Sequence, residues 1–272
     1  MAAGAPPQAW PHPTTVAYAD VEAGTVTLAG RGGRVPALLF RPRRERGSPG
    51  HPAVVIGAEA FGINEYIRHV GATLAHLGYV VVVPDYYRGQ GPTKPESYDD
   101  FAEVGAFIAE LDFGRATHDV VTAIEYVRQR ADVDPARVVV WGYCTGGTLA
   151  LLGACLRPEL AAAVLFFPSQ PVFPELDARH PVQPFDLLWN IGCPVLVIYG
   201  DQDPIMAPGR LAELRRRLEQ WHVEHEIRIY EGAGHAFGAP FGPLRHDAAD
   251  RASWQDAFGF LTRRVPVVPP AQ

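Results

Sequence analysis

Short apolar runs, rich in β-branched residues, alternate along the chain with longer stretches of mixed polarity. Eight of these runs have the length of strands and are bounded by turn residues. We predict strands at Thr25–Ala29, Val35–Phe40, Ala53–Ala58, Tyr79–Pro84, Val138–Gly142, Ala162–Phe167, Val195–Gly200 and Glu226–Glu231. Most are apolar at nearly every position, as strands covered on both faces are, whereas the first two alternate in polarity and indicate an antiparallel edge.

The stretches between the predicted strands carry the periodicity of amphipathic helices. In one of them Val120, Ile124 and Val127 share a face, with charged residues opposite. The predicted helices are Glu65–Leu77, Tyr98–Glu110, Arg115–Arg130, Thr145–Leu156, Arg210–Trp221 and Asp247–Arg264. Strands that alternate with helices favour a three-layer α/β class, a mostly parallel sheet of about eight strands with helices on both faces. Functional residues of such sheets gather at the carboxyl ends of the strands.

One strand end carries a cysteine between closely spaced glycines. The strand Val138–Gly142 is followed by the apolar helix Thr145–Leu156, and the junction reads Gly142-Tyr143-Cys144-Thr145-Gly146-Gly147. A Gly-x-Cys-x-Gly turn between strand and helix is typical of a nucleophile elbow. The N-terminus of the helix that follows favours thiolate over thiol. Cys144 is therefore the candidate nucleophile, and the alternative is a buried structural cysteine in an ordinary Gly-rich turn.

Two later strand ends supply a candidate acid and a candidate base. The segment after Val195–Gly200 offers Asp201 and Asp203, and we favour Asp203 because Gly-x-x-Asp is the commoner arrangement in such folds. His235 lies on a Gly-rich loop after the last predicted strand, with a loop histidine of no catalytic role as the alternative. The order Cys144, Asp203, His235 matches the nucleophile, acid and base order of hydrolases with this elbow. His235 would then hold the thiol proton, and Asp203 would fix its tautomer.

The loop after the strand Ala53–Ala58 begins with Glu59 and Ala60. In folds with a nucleophile elbow, this loop and the residue after the nucleophile supply the two amides of the oxyanion hole. The predicted donors are therefore the backbone N–H groups of Ala60 and Thr145. Glu59 is then expected beside Cys144, where a carboxylate raises the pKa of a thiol. The alternative is a solvated loop glutamate.

Five motifs in chain order resemble the dienelactone hydrolase family, the carboxymethylenebutenolidases of the α/β-hydrolase superfamily. They read Glu59-Ala60-Phe61-Gly62-Ile63-Asn64, Val83-Pro84-Asp85-Tyr86-Tyr87, Gly142-Tyr143-Cys144-Thr145-Gly146-Gly147, Gly200-Asp201-Gln202-Asp203 and Tyr230-Glu231-Gly232-Ala233-Gly234-His235-Ala236-Phe237. The resemblance implies an α/β-hydrolase fold and hydrolysis of small esters or lactones through a Cys144-Asp203-His235 triad and an acyl-enzyme. The short stretch between nucleophile and acid predicts no large cap domain. Tyr87 and Phe237, within the shared motifs, are further candidates for substrate contact.

The resemblance also assigns roles around the triad. It implies that Glu59 hydrogen-bonds the resting thiol and takes its proton when substrate binds, a gate that protects the thiolate from oxidation. Family members that act on dienelactone hold its carboxylate with two arginines. Arg88 lies one residue before the position of the first arginine, and the alternative is that it is a surface turn residue. Ala239 occupies the position of the second arginine, and Arg245 is the candidate that would replace its charge. Dienelactone is therefore not the expected natural substrate.

Composition narrows the classes of partner and compartment. The chain has 272 residues and a formal net charge of −6, which argues against nucleic acid. One domain is predicted at 16–264, between Pro-rich tails at 1–15 and 265–272. The chain shows no secretory signal, membrane-spanning run, metal-ligand cluster or phosphate loop. We therefore expect a cytoplasmic monomer or small homo-oligomer with free cysteines, no membrane partner, no metal and no cofactor.

Two other functions stay compatible with these residues. The first is a thioesterase or acyltransferase on the same fold, which only a substrate profile separates from an ester hydrolase. The second is a non-catalytic protein that binds a small molecule in the hydrolase pocket. An intact set of nucleophile, acid and base argues against the second function.

Overall fold

The eight predicted strands form one sheet in the computed structural model, which describes residues 18–43, 50–93, 98, 101–206, 208–240 and 243–267. They are β1 Val21–Gly30, β2 Gly33–Pro42, β3 His51–Gly57, β4 Val80–Pro84, β5 Val133–Tyr143, β6 Ala162–Phe166, β7 Val195–Gly200 and β8 His225–Tyr230. Their order across the sheet is β1-β2-β4-β3-β5-β6-β7-β8. The pairs β1-β2 and β2-β4 are antiparallel and the other neighbours are parallel. The predicted antiparallel edge and mostly parallel sheet are confirmed.

The described residues also contain the predicted helices. These are α1 Glu65–His76, α2 Phe101–Glu110, α3 Phe113–Arg128, α4 Thr145–Leu156, α5 Pro208–Gln220 and α6 Asp247–Arg264. α1 is capped by Asn64, whose side-chain oxygen accepts a hydrogen bond from the Ile67 N–H at 3.0 Å. α2 begins three residues later than predicted, because Tyr98 lies in a turn. No helix in these ranges is long and apolar enough to cross a membrane.

Two successive residues of β5 show that helices cover both faces of the sheet. Val140 packs towards Gly153 of α4. Trp141 packs instead against Trp254 of α6, with 5.5 Å between their ring centroids. Because successive side chains of a strand point to opposite faces, α4 and α6 lie on opposite sides of the sheet. The three-layer arrangement predicted from the alternating pattern is therefore confirmed, and no large cap domain interrupts it in the described ranges.

The chain that follows α6 stays packed on the domain for several residues. Val265 is buried, and its carbonyl accepts a hydrogen bond from the Tyr79 hydroxyl at 2.9 Å. The predicted start of a loose tail at residue 265 is therefore wrong, because the apolar side chain of Val265 completes the core near the start of β4. The rest of the predicted tails, 1–15 and 268–272, lies outside the described residues.

Candidate active site

Cys144 occupies a strained turn between β5 and α4. Its backbone φ is 51°, in the left-handed region that few residues other than glycine adopt. Its N–H donates to the Phe166 carbonyl at 3.0 Å, and its carbonyl accepts from the N–H groups of Thr148 at 3.2 Å and Ser169 at 3.1 Å. These hydrogen bonds hold the turn in its strained form, and the side chain stays partly exposed. The geometry is that of a nucleophile elbow.

Two glycines let the backbones around this turn approach closely. A Cβ on Gly142 would lie 2.1 Å from the carbonyl oxygen of Gly146, and a Cβ on Gly146 would lie 2.1 Å from that of Ala58. Both distances are far shorter than real contacts of a Cβ. Glycine at these positions therefore brings the start of α4 against the loop that follows β3. The two loops predicted to carry the oxyanion donors lie side by side as a result.

The structure brings the three predicted chemical groups together at the carboxyl ends of β5, β7 and β8. The Cys144 Sγ lies 3.2 Å from His235 Nε2, and His235 Nδ1 lies 2.8 Å from Asp203 Oδ2. The other oxygen of Asp203, which is only 4 % exposed, accepts from the Ile205 N–H at 2.8 Å. Asp201 is turned away and accepts from the Gly232 N–H at 2.8 Å. Of the two competing aspartates, Asp203 is the one that contacts the histidine.

The contacts of Cys144 and His235 favour a thiolate beside an imidazolium. Burial by itself would raise the pKa of the Cys144 thiol, but the positive charge and hydrogen bond of His235 outweigh it together with Ser169, so the pKa is lowered. Burial by itself would lower the pKa of His235, but the thiolate and the Asp203 carboxylate raise it to about 10. The Cys144 thiol and the His235 imidazole are therefore stabilised as a charged pair.

Ser169 is a polar neighbour of the thiol that the sequence did not suggest. Its hydroxyl lies 3.3 Å from the Thr145 hydroxyl, which lies 4.0 Å from the Cys144 sulfur. Its hydroxyl donates to the side-chain oxygen of Gln170, and its interaction with the sulfur helps to lower the pKa of the Cys144 thiol against the effect of burial. Ser169 follows the carboxyl end of β6. The rule that functional residues gather at strand ends could have drawn attention to it.

Replacing Ser169 by alanine is expected to make the Cys144 thiol harder to ionise. Loss of one hydrogen bond to the thiolate, worth about 1 kcal/mol, corresponds to an upward pKa shift of roughly 0.7 units. The measurement is the rate of iodoacetamide alkylation of Cys144 against pH, whose midpoint should move to higher pH. Ser253→Ala, which removes a buried hydroxyl bonded to the Asp250 carbonyl in α6, is the control. Equal midpoints in Ser169→Ala and the unaltered protein would show that the hydroxyl is directed to Gln170.

Two tyrosines that follow β4 hold the loop of the predicted oxyanion donor Ala60. The Tyr87 hydroxyl donates to the Ala60 carbonyl at 2.9 Å, and the Tyr86 hydroxyl donates to the Glu59 carbonyl at 2.7 Å. The backbone N–H groups of Ala60 and Thr145 have no acceptor among the described residues. Both donors therefore stay available to an incoming oxygen. Tyr87, predicted to contact substrate, acts here on the loop that carries Ala60.

Glu59 is buried next to the site, so the predicted alternative of a solvated loop residue is wrong. It is 4 % exposed, and its side chain accepts hydrogen bonds from the Asn64 amide at 2.6 Å and from the Tyr98 hydroxyl. Its negative charge raises the pKa of Cys144, although less than His235 lowers it. The Glu59 carboxylate thus interacts electrostatically with the Cys144 thiol and is held in place by its hydrogen bonds with Asn64 and Tyr98. The role in gating that the resemblance implies stays a prediction.

Three side chains that were predicted to contact substrate, or to replace such a contact, are held by other parts of the protein instead. Arg88 forms a two-bond ion pair with the fully buried Asp119, at 2.6 and 2.9 Å, and also donates to two backbone carbonyls. Arg245 donates to the carbonyls of Ala239 and Pro240 at 3.1 and 3.0 Å and pairs with an aspartate. Phe237 is fully buried in the main core. These positions favour structural roles, and their predicted contact with substrate stays untested.

The sheet order, the helices on both faces and the strained turn of Cys144 at the end of β5 together define an α/β-hydrolase fold. A family model of the dienelactone hydrolase family matches residues 35–265 of the chain. The chain therefore belongs to the dienelactone hydrolase family, as the five motifs indicated. Members of this family hydrolyse ester bonds, and the chain is accordingly a dienelactone hydrolase-like hydrolase of esters or lactones.

Individual relatives agree with this assignment along most of the chain. A putative carboxymethylenebutenolidase of Salmonella typhimurium is 29 % identical over 248 residues, covering 89 % of this chain and 88 % of the relative. A probable 2-oxo-3-(5-oxofuran-2-ylidene)propanoate lactonase of Bradyrhizobium is 31 % identical, covering 77 % and 83 %. The crystal structure of a putative dienelactone hydrolase from Klebsiella pneumoniae superposes with a TM-score of 0.79 at 27 % identity, covering 89 % of this chain and 99 % of that one.

Proposed function

We propose that the protein hydrolyses small carboxylic esters or lactones with Cys144 as a covalent nucleophile. The observation that carries the proposal is the unbroken chain of contacts from the Cys144 sulfur through His235 to Asp203, at 3.2 and 2.8 Å. A nucleophile, a base within hydrogen-bond reach and a third group that orients the base are the parts of nucleophilic catalysis. The pKa of the Cys144 thiol is lowered despite burial, chiefly by His235, and this supports the same roles.

The reaction then proceeds in two halves. The Cys144 thiolate attacks the carbonyl carbon, and the N–H groups of Ala60 and Thr145 hold the oxygen that becomes negative. The imidazolium of His235 gives its Nε2 proton to the leaving alkoxide as the carbon–oxygen bond breaks, which leaves a thioester on Cys144. His235 next takes a proton from water, the hydroxide adds to the thioester, and the acid departs as the sulfur leaves. Asp203 keeps the second nitrogen of His235 protonated throughout.

Gating of the thiol by Glu59 is the finer part of the proposal. The carboxylate opposes thiolate formation through its charge, which His235 outweighs in the structure. To take the thiol proton, Glu59 has to exchange a hydrogen bond with Asn64 or Tyr98 for one with the sulfur. A substrate that displaces Tyr98 would start that exchange. The burial of Glu59 beside the thiol supports this gate, whereas the charged pair of Cys144 and His235 favours a thiolate that exists before substrate binds.

The acyl-enzyme gives a direct test of the proposal. With p-nitrophenyl acetate, whose leaving group needs little protonation, breakdown of the thioester should be the slow step. Acid quenching followed by peptide mass spectrometry should then find one acetyl group on the peptide of Cys144. The peptides of Cys155 and Cys193, both buried free thiols, serve as internal controls. A burst of p-nitrophenol with no acetyl group on Cys144 would contradict the proposal.

A further inference from the structure

Cys144 lies against a wall of apolar side chains that is separate from the main core. We call this set the apolar wall; its buried members are Ala60, Phe61, Tyr98, Val104 and Ala239, and the half-buried Ile108 and Leu244 pack against it together with Cys144. Its residues come from the loop after β3, from Tyr98 and α2, and from the loop after β8. Phe61 and Tyr98 pack their rings 4.8 Å apart. Apart from the Tyr98 hydroxyl, which is bonded to Glu59, the side chains around Cys144 on this side are therefore hydrocarbon.

The charged groups that act most strongly on the Cys144 thiol are His235 and Glu59. His235 is committed to the reaction and to Asp203, and Glu59 is negative. The two arginines on nearby loops, Arg88 and Arg245, are bound to carboxylates and backbone carbonyls. A substrate carboxylate placed along the apolar wall would thus lose its water without gaining a cation in the described part of the chain.

A third arginine, Arg68, lies on a different cavity. This cavity of about 310 Å³ is lined by parts of β1, β2 and α1 and by the loops after β3 and β4. It shares only Phe61 with the apolar wall, and it contains neither Cys144 nor His235. Arg68 therefore does not complete the surroundings of the nucleophile.

We infer that the site takes uncharged esters or lactones with apolar acyl or leaving groups and discriminates against those that carry a carboxylate on either group. The inference rests on the proposed function, because it names the substrate class of the same site. The physical reason is that a carboxylate is costly to bury without a partner, whereas apolar groups gain from contact with the wall. The buried Glu59 adds repulsion between like charges.

A pair of substrates of equal shape tests the inference. The two are 4-acetoxybenzamide and 4-acetoxybenzoate, which differ only by a carboxamide in place of a carboxylate. After each kcat/KM is divided by the rate constant for hydroxide, the uncharged ester is expected to exceed the anion by about 10- to 100-fold, the effect of one unpaired buried charge. Equal or faster turnover of the anion would overturn the inference.

A cation introduced at the wall should reduce this preference. Leu244→Arg places a guanidinium on a half-buried position of the apolar wall, and the ratio of the two rates should fall several-fold. Leu211→Arg is the matched control, because Leu211 is also half-buried but lies on α5 against the main core. The control should keep the ratio of the unaltered protein. The same ratio in both variants would show that the wall does not set the preference.

A second readout does not depend on hydrolysis at all. Iodoacetamide and iodoacetate alkylate thiolates and differ only in charge. The rate ratio of the two reagents at Cys144, divided by the ratio measured with glutathione, should favour the neutral reagent by about 10-fold or more. Preference for iodoacetate would overturn the inference. Failure to hydrolyse either ester would instead overturn the proposed function, so the two failures are distinguishable.

Discussion

Replacing Cys144 by alanine is expected to lower kcat/KM for ester hydrolysis by more than about 1,000-fold, the range seen when a catalytic nucleophile is removed. The fold should persist, because Cys144 is held by backbone hydrogen bonds that alanine keeps. Alanine also tolerates the positive φ of 51° about as poorly as cysteine, so the strain is unchanged. The measurement is initial-rate hydrolysis of p-nitrophenyl acetate, with the melting temperature recorded alongside.

Two further cysteine variants serve as controls for that experiment. Cys155→Ala and Cys193→Ala remove the other thiols, whose pKa values are raised by burial, to about 12 for Cys193. Both variants should hydrolyse p-nitrophenyl acetate at the rate of the unaltered protein. The melting temperature shows whether each variant is folded. Cys144→Ser keeps an oxygen nucleophile and should retain weak activity. Full activity in Cys144→Ala at an unchanged melting temperature would contradict the assigned nucleophile.

Replacing Asp203 by asparagine is expected to lower kcat/KM by about 100- to 10,000-fold, as when the orienting acid of such a triad is made neutral. The amide can turn its N–H₂ towards His235 Nδ1, which favours the wrong tautomer at the Nε2 that faces Cys144. The electrostatics change as well. The Asp203 carboxylate is one of the groups that raise the pKa of His235 to about 10 against the effect of burial.

The sign of the pH effect follows from that raised pKa. In the unaltered protein His235 holds its proton up to a pH of about 10, so the proton donor for the leaving group is lost only above that pH. Without the Asp203 carboxylate the pKa of His235 falls, and the alkaline limb of the rate profile should move to lower pH. The measurement is kcat/KM of ethyl acetate against pH, because its alkoxide leaving group has to be protonated. An alkaline limb at the same pH in Asp203→Asn would contradict the role given to this carboxylate.

Asp201→Asn is the matched control, two residues away on the same loop. The Asp201 side chain accepts from the Gly232 N–H, and an amide oxygen can accept that hydrogen bond in its place. The rate should therefore change by no more than a few-fold, and the alkaline limb should not move. A loss in Asp201→Asn as large as that in Asp203→Asn would reopen the choice between the two aspartates.

The elements of the fold could be predicted because their signals are local. The run at Val138–Gly142 is apolar on both faces, which predicts a buried strand. In the structure it lies in β5, with helices on both sides of the sheet. The errors arose where distant residues decide. α2 starts after Tyr98 instead of at it, and Val265 is fixed by a hydrogen bond from Tyr79, which lies 186 residues earlier in the chain. The proline-rich composition of the C-terminal segment predicts a loose tail, and composition carries no information about a hydrogen bond to a distant residue.

The groups that meet at the site were present in the sequence as strand-end motifs in a fixed order. Motif spacing allowed either Asp201 or Asp203 as the acid, and Asp203 was favoured only as the commoner arrangement. The tertiary structure shows that Asp203 contacts His235, whereas Asp201 accepts from the Gly232 N–H. It also placed Ser169 near the thiol without any motif. Arg88 had been a candidate for substrate, and its ion pair with a buried aspartate shows it fixed to the fold.

By itself, the sequence determined that Cys144 lies on a turn between a buried strand and a helix, with an acid and a histidine at later strand ends. It also determined the family, because the motifs are short and continuous along the chain. Only the tertiary structure decided what surrounds the sulfur: a buried Glu59, a hydroxyl pair and an apolar wall from three separate segments. Such surroundings depend on the packing of residues far apart in the chain, and no local pattern encodes that packing.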